Sequence, residues 1–137
     1  MLFSQLIMLT KDVKERSKKG VILENGFEQK VALIKFYPGM DGEIIDKLID
    51  LGYKGFVIEG TGLGHVGRKI LKSIKRAVNE NIPVALTSQC IWGRVNLNVY
   101  RRGIELLKIG VIPCEDMLSE TAFVKLSWIL YRTRDIN

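Results

Sequence analysis

Two apolar runs, each ending abruptly in a polar loop, constrain the fold of this chain more than any other feature. The first run ends at Glu59 and leads into a glycine-rich turn, and the second ends at Thr87 before a Ser-Gln-Cys sequence. Continuous apolar runs are typical of parallel strands that are covered on both faces. Because the carboxyl ends of such strands meet at the ligand-binding edge of an open α/β sheet, the pattern predicts two polar loops at that edge.

Strand-like and helix-like stretches alternate from Lys30 onward. This alternation predicts a three-layer α/β/α fold with a small parallel sheet of about four strands. Right-handed crossovers would place successive strands side by side. The last helix carries many apolar side chains, and we expect most of them to be buried. The predicted strands are 31–36, 56–59, 83–87 and 111–112, and the predicted helices are 42–51, 66–81, 99–109 and 119–131.

The first 29 residues do not share this alternation. Apolar side chains recur at helical spacing over residues 2–13. A charged stretch follows, and Asn25-Gly26 is a turn signal. We interpret 1–29 as a leader or linker segment and 30–137 as one domain, since a chain of 137 residues is long enough for one domain of this kind.

Composition excludes several classes of protein. Hydrophobic residues make up 47% and charged residues 26% of the chain, as in ordinary globular proteins. No run approaches the roughly 20 apolar residues of a membrane helix, and the start lacks the basic region of a signal peptide. We therefore expect a cytoplasmic protein with no membrane contact. Cys90 and Cys114 form no paired motif and His65 is the only histidine, so we expect no metal site.

A basic segment carries much of the net charge of +6. Five basic residues and no acidic one lie between Gly62 and Val78. Such a face can attract RNA phosphate or an acidic protein partner. The alternative is an ordinary solvated helix face. The five residues are Arg68, Lys69, Lys72, Lys75 and Arg76.

The stretch from Gly62 to Gly67 matches the dinucleotide-binding pattern G-x-G-x-x-G, after a strand and before a helix. However, the next strand ends in Thr87-Ser88-Gln89 and lacks the acidic residue that would hold a ribose. A helix N-terminus after Gly64 could still receive a small anion. A module that binds a nucleotide or another small molecule is therefore the alternative function.

Three hydroxyl side chains near the loops could serve as nucleophiles, and His65 is the only histidine that could act as their base. No acidic side chain in the same loop evidently orients His65. A simpler role for this histidine is to hold the turn through hydrogen bonds. The three hydroxyls belong to Thr61, Thr87 and Ser88.

Several blocks of sequence, in unbroken order from residue 30 to about 131, resemble the C-terminal domain of the asparaginase/glutaminase amidohydrolase family. The likeness is greatest to the branch formed by the D subunits of archaeal tRNA-dependent glutamyl-tRNA(Gln) amidotransferases. A small four-stranded parallel α/β/α domain is what this resemblance implies. The blocks are 30–40, 59–66, 87–90, 93–100, 110–113, 115–118 and 120–126.

The resemblance also implies a function for the parent enzyme, which releases ammonia from glutamine or asparagine to form Gln-tRNA(Gln). In this family, the catalytic threonines, aspartate and lysine belong to an N-terminal domain whose signatures do not occur here. We therefore expect no catalytic residue in this chain, no activity of the chain alone, and a structural and dimerisation role. The implied partners are the catalytic domain, a second copy and the E subunit, which uses ATP and Mg; contact with tRNA would be indirect, and the chain itself would hold no cofactor.

Some cytosolic members of the family bind an effector amino acid between the same loops. The resemblance thus implies a ligand pocket here, although Glu59 stands where those members have a basic residue. Cys114 and Arg101-Arg102 are further departures from the usual glycine and small residues. The candidate pocket residues are Glu59, Thr61, Gly62, Gly64, His65, Ser88, Gln89 and Cys90.

Overall fold

The computed structural model describes residues 20–133, which contain one parallel sheet with helices on both faces. The sheet has four strands in the order β1-β2-β3-β4, and every neighbouring pair is parallel. The predicted α/β fold is thereby confirmed. The strands are β1 (Val31–Lys35), β2 (Gly55–Gly60), β3 (Val84–Ser88) and β4 (Ile112–Pro113). The helices are α1 (Glu43–Asp50), α2 (Leu71–Asn79), α3 (Arg101–Ile109) and α4 (Ser119–Thr133), with a short 3-10 helix at Arg68–Ile70.

The two faces of the sheet are covered unequally. Alternate strand residues such as Phe56, Ile58 and Leu86 pack on one face against α1, α2 and α3 in the larger core. Val57 and Ala85 point to the other face, where they meet α4. Strands that follow one another in space through right-handed crossovers place their connecting helices on the same face. Among residues 20–133, α4, which follows the last strand, is the helix that covers the opposite face.

Two predicted helices differ from the observed ones. The helix predicted over 66–81 starts as the 3-10 helix and becomes α-helical only at Leu71, because Gly67 is still extended, with φ −73° and ψ 158°. The last helix is also less buried than predicted. Val124 is 51% and Ile129 39% exposed, since α4 packs on the sheet with one side only.

The described part of the predicted leader contacts α4. The Glu28 N–H donates to the Ser127 carbonyl oxygen (2.9 Å). The Arg132 guanidinium lies 3.8 Å from the centre of the Trp128 ring and pairs with Glu24 (3.2 Å). No strand forms around the Asn-Gly turn signal within residues 20–30. The helix predicted over 2–13 lies outside the described residues. None of the helices between residues 20 and 133 has the length and apolar character to cross a membrane.

Candidate functional site

The loop after β2 closes on itself. The Thr61 carbonyl oxygen accepts from the N–H groups of Gly64 (3.0 Å) and His65 (2.8 Å), while the Thr61 N–H donates to the His65 carbonyl oxygen (2.9 Å). Gly64 has φ +92°, a conformation that glycine adopts at little cost. A Cβ on Gly60 would lie 2.6 Å from the Gly64 carbonyl carbon, so the turn also requires glycine at the end of β2.

This closed turn bears on the dinucleotide-binding alternative. A phosphate-binding loop presents free backbone N–H groups to its ligand. Here the N–H groups of Gly64 and His65 already donate to Thr61. The helix that follows begins as a three-residue 3-10 turn. The loop is therefore built to hold its own shape, and these two N–H groups are not free to bind phosphate.

The loop after β3 is bonded directly to the first loop. The Ser88 hydroxyl donates to the Gly62 carbonyl oxygen (2.6 Å) and accepts from the Cys90 N–H (3.0 Å). The Gln89 side-chain amide donates to the carbonyl oxygens of Phe36 (2.5 Å) and Glu59 (2.9 Å). Gln89 thus joins the ends of β1, β2 and β3, and the two loops lie side by side at the carboxyl edge of the sheet.

The Glu59 side chain lies against α4. Its Oε1 accepts from the Ser119 hydroxyl (2.6 Å), and its Oε2 lies 3.8 Å from Lys35 Nζ. The carboxylate is only 16% exposed. Because it sits at the N-terminus of α4, the helix dipole also favours its negative charge. Sequence reasoning missed both partners; the only signal was a serine where a helix begins, a residue type common at that position.

His65 contacts the start of α3. Its ring lies edge-on to the Tyr100 ring, with 5.1 Å between ring centroids and 73° between planes. Its Nε2 is buried and has no hydrogen-bond partner within residues 20–133. The candidate nucleophiles use their hydroxyls elsewhere: Thr61 donates to the His65 carbonyl oxygen (3.3 Å), and the buried Thr87 donates to that of Ile58 (3.4 Å). With Ser88, all three bond backbone carbonyls and none bonds the His65 ring.

The two cysteines differ in environment. Cys90 is exposed in the second loop, and Cys114 is partly buried after β4. Burial raises the pKa of the Cys114 thiol, although a backbone hydrogen bond with Leu86 and the nearby Lys125 charge partly oppose this. Nowhere in the described part of the chain do three His, Cys, Asp or Glu side chains gather as metal ligands would.

The predicted basic face divides into two parts. Arg68, Lys69, Lys72 and Lys75 are exposed. Arg76 instead bonds three carboxylates, those of Asp50 (2.6 Å), Glu80 (2.8 Å) and Asp46 (3.2 Å). These bonds, with Asp50 the largest influence, raise the pKa of the guanidinium above its ordinary value. Arg76 therefore ties α1 to α2, and its charge is balanced locally.

A cluster that the sequence did not predict lies between the 3-10 helix and the start of α3. Arg68 lines a cavity of about 340 Å³ together with Arg101 and Arg102 at the start of α3. Arg68 is more than thirty positions from the other two in the sequence, and the three meet only because α2 and α3 are neighbours in the fold. No local pattern could have revealed their proximity.

The described residues form a parallel α/β domain in which two loops are hydrogen-bonded to each other at the carboxyl edge of the sheet, and this architecture is the structural class of the protein. The profile of the Glutaminase/Asparaginase C-terminal domain matches residues 30–137. The chain belongs to this family.

Individual relatives are more specific. The D subunit of glutamyl-tRNA(Gln) amidotransferase from Pyrococcus abyssi is 58% identical over 132 residues, which are 96% of this chain and 30% of the relative. The D subunit from Methanopyrus kandleri is 60% identical over 114 residues, or 83% of this chain and 25% of that relative. The chain thus spans less than a third of the length of these relatives. Because 132 residues exceed the 108 in 30–137, the first match extends into the N-terminal segment.

Solved structures of asparaginases share the fold. The thermostable L-asparaginase from Thermococcus kodakarensis superposes with a TM-score of 0.76 at 33% identity, covering 90% of this chain and 38% of the other. L-asparaginase I from Vibrio cholerae gives 0.74 at 27% identity, covering 87% and 36%. The resemblance found in the sequence is confirmed at the level of both family and fold.

Proposed function

We propose that this chain is the C-terminal domain of the glutaminase-like subunit of a tRNA-dependent glutamyl-tRNA(Gln) amidotransferase. The observation that carries the proposal is the 58% identity to the D subunit from Pyrococcus abyssi over 96% of the chain. The identity to the asparaginase from Thermococcus kodakarensis is 33%. The parent enzyme would act in the cytoplasm and release ammonia from glutamine or asparagine to form Gln-tRNA(Gln). An E subunit would supply the ATP and Mg chemistry.

The role of the domain in that enzyme is structural. The hydroxyls of Thr61, Thr87 and Ser88 are held by backbone carbonyls, and Thr87 is fully buried. A nucleophile needs a positioned base, and within the described part of the chain none of these three hydroxyls bonds one. The domain would complete the subunit and border an active site built by other residues, without supplying a catalytic group.

Exposed apolar surface supports contacts with the rest of the assembly. A groove of about 440 Å³ runs between α4 and β4, with Ile112, Met117 and Ile129 among its lining residues. At the carboxyl edge, Trp92 is 99% exposed beside the exposed Ile91. Large apolar patches of this kind mark interaction sites. The α4 groove would receive the catalytic domain, and the loop edge would face a second copy in a homodimer.

The same loop edge would border any effector site. The Glu59 carboxylate is already paired with Ser119 and Lys35. It would bind the carboxylate of an amino acid poorly, because like charges repel. We therefore expect the loop residues that form an effector pocket in some family members to serve here as part of the contact at the loop edge. Ser88 and Cys90 would lie at the margin of that contact.

A chimaera tests the parent function. Residues 30–137 would replace the matching part of the Pyrococcus abyssi D subunit, and the product would be combined with the E subunit and Glu-tRNA(Gln). We expect glutamine- or asparagine-dependent formation of Gln-tRNA(Gln). The matched control carries the corresponding domain of the Thermococcus kodakarensis asparaginase, which we expect to be inactive. A chimaera that folds and assembles but makes no Gln-tRNA(Gln) would contradict the proposal.

A second assay tests the structural role. The 137-residue chain alone should release no ammonia from glutamine or asparagine. Turnover that is abolished by Thr61→Ala would show that the domain does carry a catalytic group, and would leave the family assignment intact.

A further inference from the structure

The arginine cavity beside α2 carries an unbalanced positive charge. Arg68, Arg101 and Arg102 line it, and Glu105 is the single carboxylate among the described residues that line it. Glu105 pairs with both arginines of α3, at 3.6 Å from Arg101 and 2.5 Å from Arg102. Three guanidinium groups against one carboxylate leave a net charge of +2 around a cavity of about 340 Å³. The Arg101 side chain is 95% exposed, so its guanidinium has N–H donors available to a ligand.

Helix α2 extends this charge along its exposed side. Lys75 follows Leu71, a lining residue of the cavity, by four residues and Lys72 by three, so these side chains are neighbours on the surface of α2. Both lysines are exposed. Arg76 follows Lys72 by four residues, and its guanidinium turns toward α1, where it bonds the carboxylates of Asp46 and Asp50. The carboxylates of α1 therefore neutralise Arg76, whereas Arg68, Lys72 and Lys75 form no ion pair among residues 20–133.

The chemistry of this surface fits RNA. Guanidinium groups bind phosphate oxygens through paired hydrogen bonds. Tyr100, at the start of α3 and next to Arg101, is an exposed aromatic ring held edge-on by His65. Aromatic rings beside a cationic groove stack on the bases of single strands. An anionic membrane would instead favour a row of exposed apolar side chains among the cations, whereas Leu71 on this surface is half-buried.

We propose that this surface binds the phosphate backbone of RNA directly, with Tyr100 as a stacking platform for an unpaired base. The residues of the cationic surface are Arg68, Lys72, Lys75, Arg101 and Arg102. Arg76 is not part of it, because its charge is satisfied by the carboxylates of α1 and α2. The inference does not depend on the amidotransferase function, since it concerns the affinity of the 137-residue chain itself.

Fluorescence anisotropy with a labelled tRNA transcript tests the proposal. Between about 50 and 200 mM salt, the logarithm of the association constant should fall linearly with the logarithm of salt concentration, because each neutralised phosphate releases counterions. Arg68→Glu/Lys72→Glu should weaken binding by about tenfold or more at the lower salt and make the slope shallower by roughly 1.5. Lys72→Glu/Lys75→Glu should also weaken binding. This second variant distinguishes a loss of phosphate contacts from a local folding defect that the first variant could cause.

The matched control is Lys47→Glu/Lys54→Glu, which changes the net charge equally on residues outside the cationic surface. It should alter affinity by about twofold or less, as expected when phosphate contacts are local. Tyr100→Ala should weaken binding of a single-stranded oligonucleotide by about fivefold or more. Circular dichroism confirms that each variant folds.

Three outcomes would overturn the inference. The first is an absence of RNA binding even at the lower salt. The second is an equal loss in the test and control variants, which would show a nonspecific effect of net charge. The third is binding to phosphatidylglycerol vesicles but not to RNA, which would assign the surface to a membrane.

Discussion

Gln89 is the side chain on which the candidate site depends most. Its amide donates to the carbonyl oxygens of Phe36 and Glu59 at the ends of two strands. Gln89→Ala would leave the Phe36 carbonyl oxygen without a donor among residues 20–133, whereas the Glu59 carbonyl oxygen keeps the Phe36 N–H (3.0 Å). We expect the free energy of unfolding to fall by about 1–3 kcal/mol, because a buried acceptor left without a donor is costly. Gln89→Glu should be at least as harmful, since it sets a carboxylate against two carbonyl oxygens. Urea unfolding measures both changes.

Gln29→Ala is the control for this prediction. The Gln29 amide makes one exposed bond of 3.4 Å to the Phe27 carbonyl oxygen. Its loss should cost less than about 0.5 kcal/mol, as for most surface substitutions. If Gln29→Ala and Gln89→Ala were equally destabilising, the bonds that Gln89 makes to the strand ends would have no special importance.

The sequence could predict which side chains reach the carboxyl edge, but not what each one contacts there. Ser88 and Gln89 follow a buried strand, and the rule that parallel strands end at one edge places them beside the first loop. Glu59 obeys the same rule, yet its partner Ser119 lies sixty positions away on α4. That contact depends on the helix crossing to the second face, which no local pattern encodes. The contact between His65 and Tyr100 depends in the same way on the position of α3.

At the scale of elements, Arg76 connects two helices that are neighbours on the larger core. Arg76→Gln would remove three ion pairs and leave Asp46, Asp50 and Glu80 close together without a cation. We expect a lower melting temperature in low salt and a smaller difference from the parent at high salt, because salt screens exposed charges. Lys75→Gln, which removes one exposed charge from the same helix, should have little effect in either buffer. Equal melting temperatures for the parent and Arg76→Gln in low salt would contradict this view of the α1–α2 contact.

The order of the elements was easier to predict than their ends. Continuous apolar runs and right-handed crossovers are properties of whole segments, so four parallel strands in sequential order followed from the pattern. The start of α2 depends on one extended glycine at 67, and hydrophobic spacing does not report backbone angles. The exposure of α4 could not be predicted for a different reason. Apolar spacing shows which side of a helix tends to be buried, but not whether residues of this chain cover that side.

At the scale of the molecule, the apolar and cationic surfaces are separate. The apolar groove lies between α4 and β4, and the arginine cavity lies beside α2 and α3 across the sheet. Relatives that are about three times as long contain further residues that could cover the apolar surfaces. In the 137-residue chain, the described apolar residues at the loop edge and on α4 remain exposed.

We therefore expect the chain to self-associate, and we expect Trp92 to be a main contact. Its indole is 99% exposed, so Trp92→Ser removes apolar surface without opening a cavity in the core. Sedimentation velocity from micromolar to near-millimolar concentration should show a dimer or larger species for the parent and a shift toward monomer for this variant.

Leu51→Ser is the matched control, because Leu51 is also an exposed apolar residue (63%) but directly follows the C-terminal end of α1, away from the loop edge. It should leave the association unchanged. A Trp92→Ser chain that associates as strongly as the parent would move the contact to the α4 groove, where Val124→Ser/Ile129→Ser is the corresponding variant. A parent chain that stays monomeric at every concentration would show that these exposed apolar residues are too dispersed to hold two copies together, since association must offset the lost rotational and translational freedom of each copy.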